Sequence, residues 1–457
     1  MSEADDAELA AVLESVRERV TPDAEERERL ASVAAALSDR AREAVADLPV
    51  EADVVQVGST ARGTWLAGDR DIDLFVRFPP DLPREELETY GLQVGHHVLP
   101  EGHEEYAEHP YVKGEYRGFD VDLVPCYDVA DATAIQSAVD RTPFHNAYLE
   151  ARLDDELADG VRLAKRFLKG IGAYGSDLRT CGFSGYLTEL LVAEYGGFVP
   201  LIEATADWHP PVELDPEDHA ERTFDDPLVV IDPTDPERNV AAVCDAENVA
   251  RLQHHARVLL REPAEERFFP PERDPLSPAA VREHLDRRGT TPVAVVFDAP
   301  DLVSDQLWPQ LRKSLTGIVG GLDDRGFDPL RSRAMVGGED GRAALFVELS
   351  VAERPAVEPH GGPPVHVRDH AEGFYAAYAD DADAYGPFLD GDRYAVERPR
   401  EFTTAAAFLE SDAVFDVGLG VHVATALEER EVLVGDDVAS LADGFGDALR
   451  DHFEPRP

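Results

Sequence analysis

The chain has 457 residues, 43% hydrophobic and 8% aromatic, enough for roughly two to four domains with real cores. Its 43 basic and 93 acidic residues give a net charge of −50, and with this apolar content that excess does not mean disorder. No run of roughly 18 apolar residues suggests a membrane-spanning helix, and the scattered Cys126, Cys181 and Cys244 fit neither a disulfide framework nor a metal spacing.

Residues 7–20 and 22–47 read as two amphipathic helices, with Thr21 as cap and Pro22 at the first position of the second. A strand follows at 54–57, then a glycine turn, a short helix at 61–66 and a strand at 72–78. FDVDLVPCY, 119–127, reads as another strand of the same α/β domain, which is expected to span 1–148. A helical central domain follows over 149–268, clearest at 155–170 and 184–196. The proline-rich stretch 262–278 is a linker. Beyond it a strand (292–297), a helix (303–324) and two strands (331–336 and 343–350) suggest an α+β domain of ferredoxin or RNA-recognition type over 269–360. A second Pro/Gly-rich break at 353–365 precedes a C-terminal region, 361–457, of short helices and strands.

The chemistry concentrates in VVQVGSTARGTWLAGDRDIDLFVRF, 54–78. Acidic pairs two residues apart are commonplace in so acidic a chain, so the surroundings must single out Asp71 and Asp73. A strand turns alternate side chains to one face, about 6.6 Å apart along the chain. Apolar Ile72, Leu74, Phe75 and Val76 embed both carboxylates in a buried strand, where like charges need compensation. A divalent cation such as Mg²⁺, which binds carboxylates and substrate phosphates together, supplies it. The strand around DLVPCY offers a third carboxylate, and pattern alone leaves Asp120 and Asp122 open. Gly58 and Ser59 sit between a strand and a helix, where backbone N–H groups and a hydroxyl can meet a phosphate. A capping serine explains such a turn in isolation, but Ser59 stands twelve residues before Asp71 with Arg62 beside it. Lys165 and Lys169, two of only four lysines, are one helical turn apart with Arg162 and Arg166 near the same face. Such ammonium groups suit triphosphate oxygens.

The run GSTARGTWLAGDRDIDLF resembles the polymerase-β-like nucleotidyltransferase superfamily. With DLVPCY, SAVDRTPFHNAYL, CGFSGYLTELL and DPERNVAA it is similar to the archaeal (class I) CCA-adding enzymes, tRNA nucleotidyltransferases, over about 54–250. The resemblance implies a multidomain α+β fold with a polymerase-β-like palm. It implies two Mg²⁺ ions on Asp71, Asp73 and Asp122, which selects Asp122 over Asp120. It carries nucleotide-binding roles to Gly58, Ser59, Arg62, Thr142, His145, Lys165 and Tyr174, and a base-reading role to Arg238. Cys181 stands where the family has arginine. The implied substrates are ATP, CTP and the acceptor end of tRNA, with pyrophosphate released and no nucleic-acid template. The family's tendency to dimerise adds a homodimer to these expectations.

Two other functions fit less of the pattern. A poly(A) polymerase or other RNA nucleotidyltransferase would share the palm but has no reason for the TPFH and RNVAA motifs. A non-catalytic RNA- or nucleotide-binding protein would need no carboxylate triad. Acid-rich, lysine-poor composition along the whole chain reads as adaptation to molar cytoplasmic salt, and with an acidic N-terminus it points to a cytoplasmic, halophilic, archaeal protein. The C-terminal region 361–457, and Arg282, Arg287, Arg288, Arg312, Lys313, Arg331 and Arg333, are candidate tRNA contacts.

Overall fold

A computed structural model describes residues 3–106, 108–337 and 341–457. The chain divides into two compact units, one of residues 1–271 and one of 272–456.

In the first unit, helices α1 (Glu3–Val20) and α2 (Ala24–Ala46) lead into β1 (Asp53–Val57), α3 (Gly58–Arg62) and β2 (Asp71–Phe78). Then come α4 (Arg84–Val98), β3 (His103–Tyr106), β4 (Pro110–Tyr116) and β5 (Phe119–Tyr127). The five strands form one sheet in the order β1-β2-β5-β4-β3, with β2 and β5 parallel and the other pairs antiparallel. Ile72, Leu74, Val76 and Phe78 alternate onto one face, pair with Val121 and Leu123, and are buried with Leu37, Ala41, Leu87 and Val94 from α2 and α4. The other face carries the charged residues and a small apolar cluster of Val57, Phe75 and Cys126.

Two local expectations are corrected. The cap of α2 is Asp23, not Thr21: Asp23 accepts the Glu26 N–H at 2.8 Å while the Glu26 carboxylate accepts the Asp23 N–H at 3.1 Å. This reciprocal pair satisfies two end groups, worth about 1 kcal/mol, and leaves Pro22 outside the helix. The short helix expected at 61–66 instead begins at Gly58 and stops at Gly63, whose φ of +70° ends it. The β3–β4 hairpin, which completes the sheet, and α4, which packs on it, are elements beyond those expected.

The helical part holds α5 (Thr142–Glu150), α6 (Asp155–Gly170), α7 (Gly185–Tyr195), α8 (Phe198–Ala206) and α9 (Ala246–Arg261), with short strands β6 (Val212–Leu214), β7 (Leu228–Asp232) and β8 (Asp235–Asn239). Its core gathers Val161, Phe167, Phe183, Leu190, Phe198 and Phe268, and α1 joins it through Leu9, Leu13, Val16 and Val20.

The second unit begins with α10 (Pro278–Arg288), β9 (Thr291–Asp298), α11 (Ser304–Asp324), β10 (Pro329–Val336) and β11 (Arg342–Leu349). A small sheet of β12 (Val357–Pro364), β13 (Tyr385–Asp390) and β14 (Arg393–Pro399) carries α12 (Arg368–Tyr378). The chain then runs through α13 (Ala405–Glu410), α14 (Val421–Ala426), β15 (Glu431–Val434) and α15 (Ala442–Phe453). The order β10-β11-β9-β15, all antiparallel, is that of a ferredoxin-like sheet, and its fourth strand comes from well beyond the second Pro/Gly-rich break. Both faces are covered. Val293, Val295 and Phe297 pack with Leu311, Ile318 and Phe408, while Ala294, Val296 and Phe346 pack with Val281, Leu285 and Leu449. An RNA-recognition sheet that stacks bases on an open face is therefore not what this unit presents.

Candidate functional site

The site is assembled from the charged face of the first unit's sheet. The parallel register sets Asp71 opposite Asp120 and Asp73 opposite Asp122, so all four carboxylates share one face. Lys113 on β4 lies opposite Asp122 in the next pairing, with its ammonium 3.4 Å from Asp122 Oδ1. Burial pushes the Asp73 carboxyl up to about 6, helped by Asp122 and Asp71. Burial also raises Asp71, with Asp69 and Asp120 adding to it, and raises Asp122 against the opposing pull of Lys113. Three carboxyls raised together mark a negative cluster that the protein leaves under-compensated.

Among the described residues no three His, Cys, Asp or Glu side chains are drawn together closely enough to hold an ion. The row nevertheless fits a hard divalent cation, since its donors are all carboxylate oxygens and its like charges lack a full partner. The turn after β1 is shaped around it. Gly58 has φ +82°, and a Cβ there would collide with Asp73 Oδ2, so glycine is required twice over. Ser59 and Thr60 follow in α3, where the Ser59 carbonyl accepts the Thr64 N–H at 3.0 Å.

Beside this turn lies a buried hub, Glu189 on α7, with 1% of its side chain exposed. Glu189 Oε2 accepts from Arg62 at 2.8 and 2.6 Å, and Oε1 accepts from Lys165 at 2.8 Å and from the Thr64 hydroxyl at 2.5 Å. Burial alone would raise the Glu189 carboxyl; Lys165 and Arg62 more than offset that and hold it below the usual range. Arg62 also donates to Asn146 on α5, and Lys165 to the Thr64 carbonyl at 3.2 Å. The two lysines expected on one phosphate-facing side are thus split. Lys165 is buried against Glu189, whereas Lys169 is about one-third exposed, with Asp69 at 3.5 Å and the Tyr174 ring centroid at 5.4 Å.

A second hub is Asp232 at the end of β7, fully buried. Its Oδ2 accepts from His145 and from Arg238, both at 2.7 Å, and its Oδ1 accepts the Thr234 N–H at 3.0 Å. Burial would raise this carboxyl; the His145 bond and its charge, with the Thr234 bonds, drive it far below its ordinary value. The His145 ring, lowered by burial against the pull of Asp232, stacks 3.9 Å from Tyr186 at 12°. The Tyr186 hydroxyl has no hydrogen-bond partner among the described residues. Arg238 remains about one-third exposed and lines an open cleft of about 900 Å³ with Arg141, Asp235 and Asn239.

Helix α7 gathers these groups. A Cβ at Gly185 would lie 3.1 Å from the Tyr174 hydroxyl, Tyr186 stacks on His145, and Glu189 holds Arg62 and Lys165. Helix α5 runs between the hubs, presenting His145 to one and Asn146 to the other. It opens at Thr142, just after Asp140, a buried carboxylate that accepts the N–H groups of Tyr127, Gln136 and Ser137 at 2.8, 2.9 and 2.8 Å. Asp140 ties the end of the Asp122 strand to the start of α5.

Glu189, Asp232, Asp140, Asn146, Tyr186 and Lys113 were not singled out by sequence. A lone carboxylate within GYLTELL and an aspartate closing LVVID are the signals that were there to read. Of the arginines considered for tRNA, Arg288 is bound to buried Glu348 at 2.5 and 2.9 Å, and Arg331 donates to the His452 carbonyl at 2.7 Å.

Three family models match the chain: a nucleotidyltransferase domain over residues 38–145, the second domain of tRNA nucleotidyltransferase over 159–269, and the C-terminal domain of CCA-adding enzyme over 288–435. Among curated relatives, the CCA-adding enzyme of Halorubrum lacusprofundi is 69% identical over 98% of this chain and 100% of its own length. That of Haloarcula marismortui is 62% identical over 98% and 99%. The CCA-adding enzyme of the methanogen Methanoregula boonei is 45% identical over 90% and 88%.

Proposed function

Since the chain belongs to the CCA-adding enzyme family, we propose that it completes the 3′ end of tRNA with C, C and A, using CTP and ATP and releasing pyrophosphate. The observation that carries this reading at the site is the parallel register that sets Asp73 beside Asp122 with the Gly58 turn packed against Asp73.

In this reading Asp71, Asp73 and Asp122 hold two Mg²⁺ ions. When bound, these neutralise developing charge and ease deprotonation of the RNA's 3′ hydroxyl. The Gly58–Ser59 turn offers N–H groups and a hydroxyl to the triphosphate. Arg62 and Lys165, fixed by Glu189, set a positive potential behind that turn, and Tyr174, whose hydroxyl lies against Gly185 of α7, is carried over as a further nucleotide contact. Arg238 reaches the open cleft while anchored to Asp232, which suits contact with a base edge. His145, on the same carboxylate, and Thr142, at the head of α5, complete the nucleotide-facing wall. Fixed donors that pair with cytosine or adenine, but leave a group unpaired against guanine or uracil, discriminate strongly.

The same reading takes residues 1–148 as the catalytic part and 149–268 as the central nucleotide-binding part, and it assigns tRNA contact to 269–457, where the strand Glu431–Val434 joins the sheet built from β9, β10 and β11. It places the protein in the cytoplasm, consistent with no helix being long and apolar enough to cross a membrane among the described residues. It carries a homodimer over from the family, which sedimentation in molar KCl tests. The activity is tested by incubating the protein with tRNA stripped of its 3′ end. CMP incorporation followed by a single AMP supports the assignment. AMP tailing that ignores CTP would identify a poly(A) polymerase instead.

A further inference from the structure

The sheet lays its charged groups out in strand order. The Gly58 turn follows β1, Asp73 is on β2, Asp122 on β5 and Lys113 on β4. In-line transfer puts the attacking and leaving oxygens on opposite sides of the phosphorus. With the triphosphate at the Gly58–Ser59 end, as in the functional reading above, the leaving pyrophosphate departs on that side. The attacking hydroxyl must then arrive from beyond Asp122, where Lys113 stands.

Lys113 suits that approach. Its side chain is 39% exposed and its ammonium lies 3.4 Å from Asp122 Oδ1, so a group with three donors is solvent-accessible beside that carboxylate. It is one of four lysines in a chain that otherwise uses arginine. A compact, mobile ammonium is the group that can bridge two anions rather than lock onto one in a planar fork. Its neighbours on the same face, Glu105 opposite Tyr111 on the hairpin and Asp120 two residues before Asp122, are acidic. An RNA phosphate reaching this end of the row would otherwise meet carboxylates.

We propose that Lys113 is the acceptor-end subsite, its ammonium bridging Asp122 and the phosphodiester of the RNA's 3′-terminal nucleotide. The bridge fixes the last sugar so that its 3′ hydroxyl lies beside Asp122. The proposal rests on the nucleotidyl-transfer reading and adds which residue holds the acceptor strand.

The test is a double-substitution cycle on single CMP addition in molar KCl. One change is Lys113→Met. The other replaces the last phosphodiester of a tRNA ending before the first C with an uncharged methylphosphonate. Each change alone is expected to lower kcat/KM for tRNA about tenfold, as for one lost charge-assisted contact. Together they should cost no more than either alone, while CTP binding measured without RNA stays unchanged. Independent, multiplying losses overturn the proposal. So does a Lys113→Met effect confined to CTP binding or to Mg²⁺ half-saturation, which would make Lys113 only a counter-ion for Asp122. Failure of the underlying reading looks different: the wild-type protein would add no CMP to the unmodified tRNA.

Discussion

Glu189→Gln probes the hub that joins α3, α6 and α7. In the native protein both carboxylate oxygens are used, Oε1 by Lys165 and Thr64 and Oε2 by Arg62. Glutamine keeps one oxygen acceptor and turns an amide NH₂ toward either a guanidinium or an ammonium. Two buried cations then lose their counter-charge, and at least one pair of donors faces another donor. Breaking a buried ion pair from one side costs about 3–5 kcal/mol. For a unit of this size each kcal/mol moves the thermal midpoint by about 2–4 °C, so a loss of roughly 6 °C or more is expected. Circular dichroism melts in 3 M KCl measure it. Lys165→Met on top of Glu189→Gln should recover part of the loss, because one uncompensated cation is gone. The Glu189 carboxyl is held below its usual range, so its stabilisation is present near neutrality and disappears on acidification through the folded value. The gap between variant and wild type should therefore narrow at low pH. A variant melting within about 2 °C of wild type at pH 7.5 would show that the hub does not hold these elements together.

Asp73→Asn should abolish nucleotide addition. Because the folded Asp73 carboxyl is raised to about 6, its ionisation destabilises the metal-free fold above that pH. The variant should accordingly melt higher than wild type in chelator at pH 7.5, with the gain shrinking as pH falls toward 4; an equal or lower midpoint at pH 7.5 counts against the cluster. Arg238→Ala should change the ratio of correct to incorrect nucleotide incorporated at least several-fold with the Mg²⁺ requirement unaltered; unchanged selectivity would remove Arg238 from base reading. In the second unit, burial would raise Glu348, but hydrogen bonds from His452, Arg288 and Thr290 hold it at about 2. Its stabilisation is therefore complete above about pH 4.5 and lost as pH falls through 2, and Glu348→Gln should flatten that acid limb of an unfolding profile. With a net charge of −50, the chain should melt far lower in 0.05 M than in 2 M KCl, and equal midpoints would contradict adaptation to salt.

What could be read from sequence followed local signals. The strands at 54–57, 72–78 and 119–127 were legible because apolar runs bounded by turn residues leave little choice, and the observed strands differ at most by a residue at the start. Within the second unit's four-stranded sheet, the order of β9, α11, β10 and β11 was legible for the same reason, although α10 before them was not. Its fourth strand, EVLV, was not: four residues carry almost no periodicity, and only pairing with β9 makes them a strand. The β3–β4 hairpin is hard to read because HEEY is a short polar strand at the sheet's edge and PYVKGEY, though paired on both sides, buries only Val112 and shows little apolar alternation. The carboxylate row was found because Asp71 and Asp73 interrupt an otherwise apolar strand. Glu189 and Asp232 were not, because each is defined by partners 24 to 127 positions away for Glu189 and 87 away for Asp232–His145. No one-dimensional pattern reports that Glu189 will be satisfied by two distant cations, or that Asp232 will join Arg238, six positions on, to a histidine 87 positions away. Lysine scarcity is itself a signal: Lys113, Lys165 and Lys169, three of the four lysines, all fall beside the site.

The most direct test follows CMP and AMP incorporation together on three tRNAs, ending before the first C, after one C and after two. One carboxylate row must serve both nucleotides, since the chain carries a single Gly-Ser turn followed by paired aspartates on an apolar strand. The wild-type protein should add CMP to the first two substrates and AMP to the third, and Asp122→Asn should depress all three reactions alike. If Asp122→Asn lost CMP addition yet kept AMP addition at the normal rate, a single shared site would be ruled out.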